Sequence, residues 1–511
     1  MKKEPAQEPA TAQDVQVIIP VDTMCPNAER YVVFGDFDAT LNQTNIMKGN
    51  NNNKYYRIQL LQHKKTKRFL LWTRWGRVGE ARSTQTKLQS CNGQEGCEQA
   101  FEKKFSDKTG NLWDNRDNFV PRKKKYEMLE MDYTTKKEED VKPLIMSLKS
   151  KEENVEYLPS CLPDETRDLI EMLFEEDVYI DALREFEIDV NKMPLGALST
   201  DQIQKGVAVL EELEQALKAS GNQRAKLERL SSQFYTTIPR DFGRTRPPVI
   251  SNPDMLQKCY DMCNVLLDME KATDMMSKAA DTVKEEKEDP QKLPHPTEAQ
   301  YASLNAELKH IPRDSEEYDV VAKAFDKTKG QYESAKLLDV WRVERMGEKA
   351  RFEQVSHHNN YLLWHGSHIA AISAILATGL RIMPHSGGRV GRGIYLASEN
   401  GKSQSYTTPE CRRKVGCMFL AEAALGKIAE IIKDDPSLKR PPSGFDSVRA
   451  CGRQTPGGFK EVQFDDRHVK LPVEQPVDNP KAKDSSFRQD EYLIYNEAQA
   501  RIRYVITVKK G

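Results

Sequence analysis

The period of the apolar residues changes twice along this chain, and no single arrangement of layers accommodates all three textures. From Tyr31, short aromatic and aliphatic runs such as Tyr55–Gln62 (YYRIQLLQ) and Phe69–Arg74 (FLLWTR) predict strands, with a loop at Asn50–Asn53 and one helix near Gly96–Phe105. From 159 to 335 the spacing becomes helical. Leu169, Ile170, Leu173 and Phe174 form one stripe, and Ile203, Val207, Leu210, Leu213 and Leu217 form another. The second follows a capping-box pattern at Ser199–Gln202 and can stop at Gly221. A third long helix is predicted over Met255–Met276, with an exposed loop over Lys278–Pro296. After about Leu337 strand texture returns at Val340–Val343, Tyr361–Trp364, Gly393–Leu396, Cys417–Ala421, Tyr492–Tyr495 and Tyr504–Val508, around a short helix at Ile369–Thr378. A chain of 511 residues exceeds one core. The expectation is a multidomain α+β protein: a disordered tail (1–28), a small β-rich module (29–126), a linker (127–158), an all-α helical bundle (159–336) and a mixed α/β domain with a sheet core (337–511).

Several classes drop out. No run of about 18 apolar residues occurs, so no membrane-crossing helix and no membrane partner are expected. The opening MKKEPAQEPATAQ lacks the apolar segment of a secretory signal. The nine cysteines include no C-x-x-C and no histidine pair completes a zinc set, so no metal is expected and the cysteines read as reduced and mostly buried.

Charge is segregated. The whole chain carries a formal net charge of -1, yet residues 54–126 hold 18 Lys/Arg against 7 Asp/Glu. Such a positive module is the footprint of a polyanion binder. Trp72, Trp75 and Trp113 lie among the cations, where an indole can stack on an exposed base while Lys and Arg neutralise phosphates. The alternative is a solvated surface over core tryptophans. Trp75-Gly76-Arg77, Leu41–Asn45 (LNQTN) and Asn51–Leu61 (NNNKYYRIQLL) together resemble a WGR domain. That resemblance implies binding of broken or nicked DNA, with Trp75 and Arg77 at or near it. Arg122–Lys125 (RKKK) fits a nuclear-import patch or a plain solvated run. A nuclear location is expected.

Four pieces of the last domain carry chemistry: Trp364-His365-Gly366-Ser367, Gly393-Ile394-Tyr395, Lys402-Ser403 with Tyr406, and Glu491-Tyr492. Each alone is bland. Their order and spacing resemble the His-Tyr-Glu signature of the poly(ADP-ribose) polymerase catalytic domain, continued through Gly379–Glu399 and Asp490–Val508. Pro194–Gly206 and Leu266-Leu267-Asp268 resemble that family's helical regulatory domain. The resemblance implies an ADP-ribosyltransferase with NAD as substrate and acceptor proteins, itself included, as partners. His365, Tyr395 and Glu491 are the implied catalytic set. Gly366 and Ser403 bind the nicotinamide amide, Tyr406 and Tyr395 stack on its ring, His365 and Ser367 hold the adenine-side ribose, and Arg381 lies on the adenosine side. Glu491 faces the nicotinamide ribose, where it can stabilise positive charge and polarise an acceptor hydroxyl. The same resemblance puts Asp268 at the cleft as a regulatory residue, with a passive helical spacer as the alternative. It leaves mono- and poly-ADP-ribosylation both open.

The stretch Gly387–Gly393 (GGRVGRG) runs G-x-x-G-x-G, not G-x-G-x-x-G, and follows no strand, which opposes a dinucleotide-fold redox enzyme. A DNA-end-binding scaffold with an inactive transferase fold is opposed by the intact His365, Tyr395 and Glu491.

Overall fold

The computed structural model of the chain describes residues 19–131, 133, 156–188, 198–285, 292–293, 295–330, 335–355, 358–383, 388–407 and 414–509. It divides into two compact units, one holding residues 1–43, 53–150 and 196–199, the other 44–52, 151–195 and 200–511.

In the first unit, strands β1 (Tyr31–Asn45), β2 (Asn52–His63), β3 (Phe69–Arg77), β4 (Gln85–Ser90) and β5 (Glu127–Met128) form a sheet in the order β4-β3-β2-β1-β5. Helix α1 (Gly93–Thr109) covers one face. Alternation explains why: Tyr56, Ile58 and Leu60 point one way from β2, into a core with Cys97, Phe101 and Phe105 of α1 and Trp113. The other face buries Leu61, Trp72 and Cys25. Trp72 and Trp113 are therefore core residues, 1% and 4% exposed, and not the nucleic-acid stackers expected beside Trp75. Two of the cations are also interior. Arg74 pairs with Asp22 (Nε–Oδ2 2.7 Å), and Arg57 lies by Asp38 (3.4 Å), which also accepts from Gln59 (2.8 Å) and Tyr133 (2.6 Å). Asp22 is 1% exposed, so residues 19–28 are ordered where a structureless tail was expected. A buried arginine needs that carboxylate. Residues 1–18 and 134–155 lie outside the described set, as does most of the expected linker.

The second unit begins with helices. These are α2 (Asp164–Leu173), α3 (Glu176–Glu185), α4 (Thr200–Lys218), α5 (Arg224–Thr237) and α6 (Pro253–Glu285), with a short parallel pair β6 (Glu156–Tyr157) and β7 (Lys292–Leu293), then α7 (Pro296–Ser303). Ile203, Val207, Leu210 and Leu213 of α4 are all buried, as their spacing requires. Helix α6 runs on to Glu285, so Lys278–Glu285 is helical and not part of the expected exposed loop. Its Lys- and Glu-rich end has good helix formers and no proline until Pro290. Segment 44–52 docks on α5: Thr44 N–H donates to Thr236 Oγ1 (2.9 Å), Ile46 N–H to Ser232 Oγ (3.1 Å) and Lys48 N–H to Glu228 Oε2 (3.2 Å).

The catalytic-signature region forms a large sheet. Its strands are β8 (Ala306–His310), β9 (Lys336–Arg345), β10 (Asn360–Gly366), β11 (Ile394–Ala397), β12 (Val415–Ala424), β13 (Ile428–Ile431), β14 (Ser447–Ala450), β16 (Phe459–Phe464), β17 (Arg467–Pro472), β19 (Glu491–Ile494) and β20 (Ala500–Lys509). The path is β13-β14-β19-β11-β10-β12-β20-β9-β8, and hairpin β16–β17 joins β10 through β17. A separate small pair is β15 (Gln454–Thr455) with β18 (Val477–Asp478). Ala306–His310 is a strand within a stretch that had been expected to be helical. Ala306 and Leu308 are buried while Glu307 and Lys309 are exposed, a period of two. Helix α8 (Glu316–Thr328) lays Val321, Ala324 and Phe325 against Trp364, Met418 and Leu420. Burying an aliphatic or aromatic side chain such as Val321 or Phe325 stabilises by about 1.5–3 kcal/mol. Further helices are α9 (Glu348–Gln354), α10 (Ile372–Thr378) and the single turn α11 (Asn400–Gln404).

Two tests follow from this packing. A methyl group at Gly206 would lie 2.5 Å from Cγ1 of the fully buried Ile238. Gly206→Ala should therefore destabilise the helical part by about 1–3 kcal/mol, read as a lower denaturation midpoint by circular dichroism; an unchanged midpoint contradicts this packing. Glu399, 1% exposed between β11 and α11, has its carboxyl pushed up to about 7, first by burial and then by the charge of Asp490. Its folded value lies above the unfolded one, so its stabilisation is complete below the ordinary carboxyl range and is lost as pH rises towards 7, a change of roughly 3 kcal/mol. Glu399→Gln should flatten the decline in stability measured by chemical denaturation over that window; a slope equal to that of the unsubstituted chain contradicts the assignment.

Candidate active site

Strand register brings the three signature residues onto neighbouring strands. In β10, Trp364 pairs with Ala397 of β11, and Ala397 pairs in turn with Glu491 of β19. Tyr395 sits two residues before Ala397, on the same side of β11. His365 follows Trp364, and its Nδ1–H donates to the Tyr395 carbonyl at 2.9 Å. That bond leaves Nε2 as the acceptor of a neutral ring, and burial holds the imidazole pKa below its ordinary value.

Gly366 closes β10 with its backbone against α11. An added Cβ would meet the Ser403 carbonyl oxygen at 1.8 Å, so no side chain fits there. Ser403 is buried and Ser367 is half-buried at the strand's end. Tyr406, just past α11, is 46% exposed, and its phenol is pushed up to about 12 by partial burial and by the carboxylates of Asp261 and Glu491. An exposed ring beside a glycine backbone and a buried serine offers a stacking face next to amide-binding groups.

Glu491 is fixed by its own neighbours. Gln489 donates to Glu399, Asp490 binds Arg449 (2.6 and 3.1 Å), Thr455 Oγ1 (2.8 Å) and the Gly452 N–H (2.7 Å), and Glu491 is paired with Lys402. Gln489 and Glu491 are thus tied to the N-cap and body of α11, and Asp490 to β14, β15 and the turn between them. No local pattern in the sequence announces the Lys402–Glu491 pair. Tyr395 is tied differently: its hydroxyl accepts from Val390 N–H (3.1 Å) and donates to the Gly391 carbonyl (2.7 Å). Burial, and secondarily the charge of Glu491, keep that phenol protonated well above neutral pH. Tyr495 donates to the Val390 carbonyl at 3.1 Å. Residues 388–391 are therefore held by two phenols. A Cβ on Gly388 would strike the Tyr395 hydroxyl at 2.2 Å.

Helix α6 lies along the same region, packed on α10 and the 3-10 turn Ile369–Ala371. Its Asp268 is 6% exposed and pairs with Arg381. Burial lifts the Asp268 carboxyl to about 6 against the opposing pull of the Arg381 cation. Asp261, two turns earlier and hence on the same helix face, bears on Tyr406. One helix face thus presents carboxylates to both Arg381 and Tyr406. The i, i+7 spacing of the two aspartates was readable; their targets were not.

In the first unit, Trp75 is half-buried and stacks on Tyr56, with ring centroids 5.5 Å apart at 13°. With Lys87, Lys104 and Lys108 they line a cavity of about 330 Å³, and the Lys108 ammonium sits 4.4 Å above the Tyr56 ring. Gly76 is required because a Cβ there would crowd Ser83 O at 3.0 Å. Arg77, half-buried at the end of β3, receives the Ser83 hydroxyl as acceptor for its backbone N–H at 2.9 Å.

Comparison with known proteins identifies the family. Residues 315–510 match the poly(ADP-ribose) polymerase catalytic domain, 160–301 the regulatory domain of the same polymerases, and 37–120 the WGR domain. Protein mono-ADP-ribosyltransferase PARP3 of Mus musculus is 44% identical over 499 residues, 96% of this chain and 92% of that protein. The protein of the same name from Homo sapiens is 42% identical, covering 96% and 91%. Poly [ADP-ribose] polymerase 2 of Homo sapiens is 32% identical over 506 residues, covering 96% and 83%. The chain belongs to the poly(ADP-ribose) polymerase family and is an NAD+ ADP-ribosyltransferase.

Proposed function

We propose that this transferase is switched on by DNA strand breaks and attaches ADP-ribose to proteins, itself included, in the nucleus. The observation that carries the chemical part is the strand register that sets Glu491 beside Tyr395 while the Gly366 backbone lies against Ser403. NAD binds with its nicotinamide amide on the Gly366 backbone and the Ser403 hydroxyl. The ring lies between Tyr406 and Tyr395. His365, with Nε2 open as an acceptor, takes a hydroxyl of the adenine-side ribose near Ser367, and Arg381 serves the adenosine.

Breaking the bond from nicotinamide nitrogen to ribose releases a neutral leaving group, so a strong acid is not needed. The developing charge is positive and sits on the ribose. A carboxylate held at the start of β19 stabilises it and polarises the incoming acceptor. Lys402 holds that carboxylate in an ion pair until substrate arrives. Most of the remaining acceleration comes from orientation of the gripped dinucleotide. Glu491 permits chain elongation, while the PARP3 relatives carry the name mono-ADP-ribosyltransferase. Single or few transfers per site are the reading favoured here.

Control runs through the helical region. Asp268 occupies the guanidinium that the adenosine side requires, so α6 in this position competes with NAD. Broken or nicked DNA docks through Trp75 and Arg77 and shifts the equilibrium towards a released helix. Segment 44–52, which connects β1 to β2 and is hydrogen-bonded to α5, supplies a physical route for the signal.

Incubation with NAD and either nicked or intact duplex, followed by intact-mass measurement and nicotinamide quantitation, tests the reading. Nicked DNA should give mass increments of ADP-ribose and matching nicotinamide; equal rates with no DNA contradict break activation. Glu491→Ala should lower transfer to protein by about 10²–10⁴-fold, and a variant that still transfers at the original rate overturns its role. Asp268→Asn should raise the DNA-independent rate by about tenfold, the effect of removing one competing contact of about 1.4 kcal/mol; an unchanged basal rate refutes the latch.

A further inference from the structure

The cysteines were expected to be reduced, yet Cys91 and Cys97 form a disulfide, with Cα atoms 5.1 Å apart. The sequence gives no warning, because the partners converge only when α1 packs back on the sheet. Cys91 directly follows β4, and Cys97 lies in the second turn of α1, wholly buried with Phe101 and Phe105. These same two elements both contribute to the lining of the cavity beside Trp75. Strand β4 supplies Lys87 and Gln89, and helix α1 supplies Lys104 and Lys108. Between the cysteines, Gly93 takes a positive φ of 75° with nothing near its Cβ position, and Asn92 makes no side-chain cap to the helix. Neither a cap nor packing at Gly93 fixes the start of α1, and the bridge does so. Without it the Cys97, Phe101 and Phe105 stripe still packs, so the reduced module folds with a looser lysine wall.

We propose that Cys91 and Cys97 are a thiol–disulfide switch that sets the spacing of the lysine walls beside Trp75 and thereby the affinity for nicked DNA. The inference rests on the reading that this face docks DNA. Glutathione disulfide is the oxidant. The half-buried Cys91 attacks one of its sulfurs as the thiolate, forming a mixed disulfide and releasing one glutathione. Cys97 then attacks the Cys91 sulfur, closing the bridge and releasing the second glutathione. Two protein thiols lose two electrons, the glutathione disulfide gains them, and both protons leave with the departing thiols. A fixed wall loses less freedom on binding, so the oxidised form binds more tightly.

The test equilibrates the full chain in glutathione buffers from reduced to oxidised. Alkylation with peptide mapping reads the thiols, and fluorescence anisotropy with a labelled nicked duplex at fixed salt reads binding. Cys91 and Cys97 should lose alkylation together, and Kd should tighten roughly fivefold in step. Cys91→Ser should bind as the reduced chain does and ignore the buffer. The switch is overturned if the pair stays alkylatable in oxidised glutathione, if Kd is equal in both states, or if Cys91→Ser retains the shift. Loss of DNA binding in both states refutes the docking reading and the affinity claim together, whereas binding that ignores redox state refutes the switch alone.

Discussion

Backbone pairing between three neighbouring strands is the constraint on which the proposed chemistry depends. His365, Tyr395 and Glu491 are separated by 30 and then 96 positions, and only the antiparallel register of β10, β11 and β19 makes them neighbours. A slip of one residue would turn Glu491 to the opposite face. The slip is blocked from both sides. Trp364 is locked in the core under Phe325, and Asp490 is locked on Arg449, Thr455 and the Gly452 backbone. Stability of the sheet and position of the carboxylate are thus one property.

Two ion pairs flank the proposed cleft. The Lys402 cation sits on Glu491 and the Asp268 anion sits on Arg381, so the two groups that would meet opposite ends of a dinucleotide are each already engaged. In the proposed binding mode, substrate displaces or rearranges both contacts. Asp268 carries a partly compensated burial cost, visible in its raised carboxyl pKa, which makes the α6 contact one that a modest input can undo. Such a contact suits a reversible restraint better than a permanent brace.

The sequence revealed the three textures, the strands of the last region, the helical stripes and the signature residues, because periodicity and short-range order encode all of these. It did not reveal long-range partners. Trp72, Trp75 and Trp113 look alike among lysines, yet only Trp75 escapes the core, since β3 alternates and Trp113 faces α1. Arg57 and Arg74 count as positive surface in any composition, but Asp38 and Asp22 draw them inside. The strand at 306–310 was hidden because five residues with alternating burial are too few to outweigh the helices around them. The Asp268–Arg381 pair spans 113 positions and no local pattern announces it.

The central claim is that one surface formed by β10, β11, α11 and β19 grips nicotinamide riboside. Electron density for the full chain bound to a non-hydrolysable NAD analogue and nicked DNA tests it most directly. The account predicts the carboxamide on Gly366 and Ser403, the ring against Tyr406, and the nicotinamide ribose within hydrogen-bond reach of Glu491. An analogue bound elsewhere, or one whose ribose lies away from that carboxylate, would contradict it.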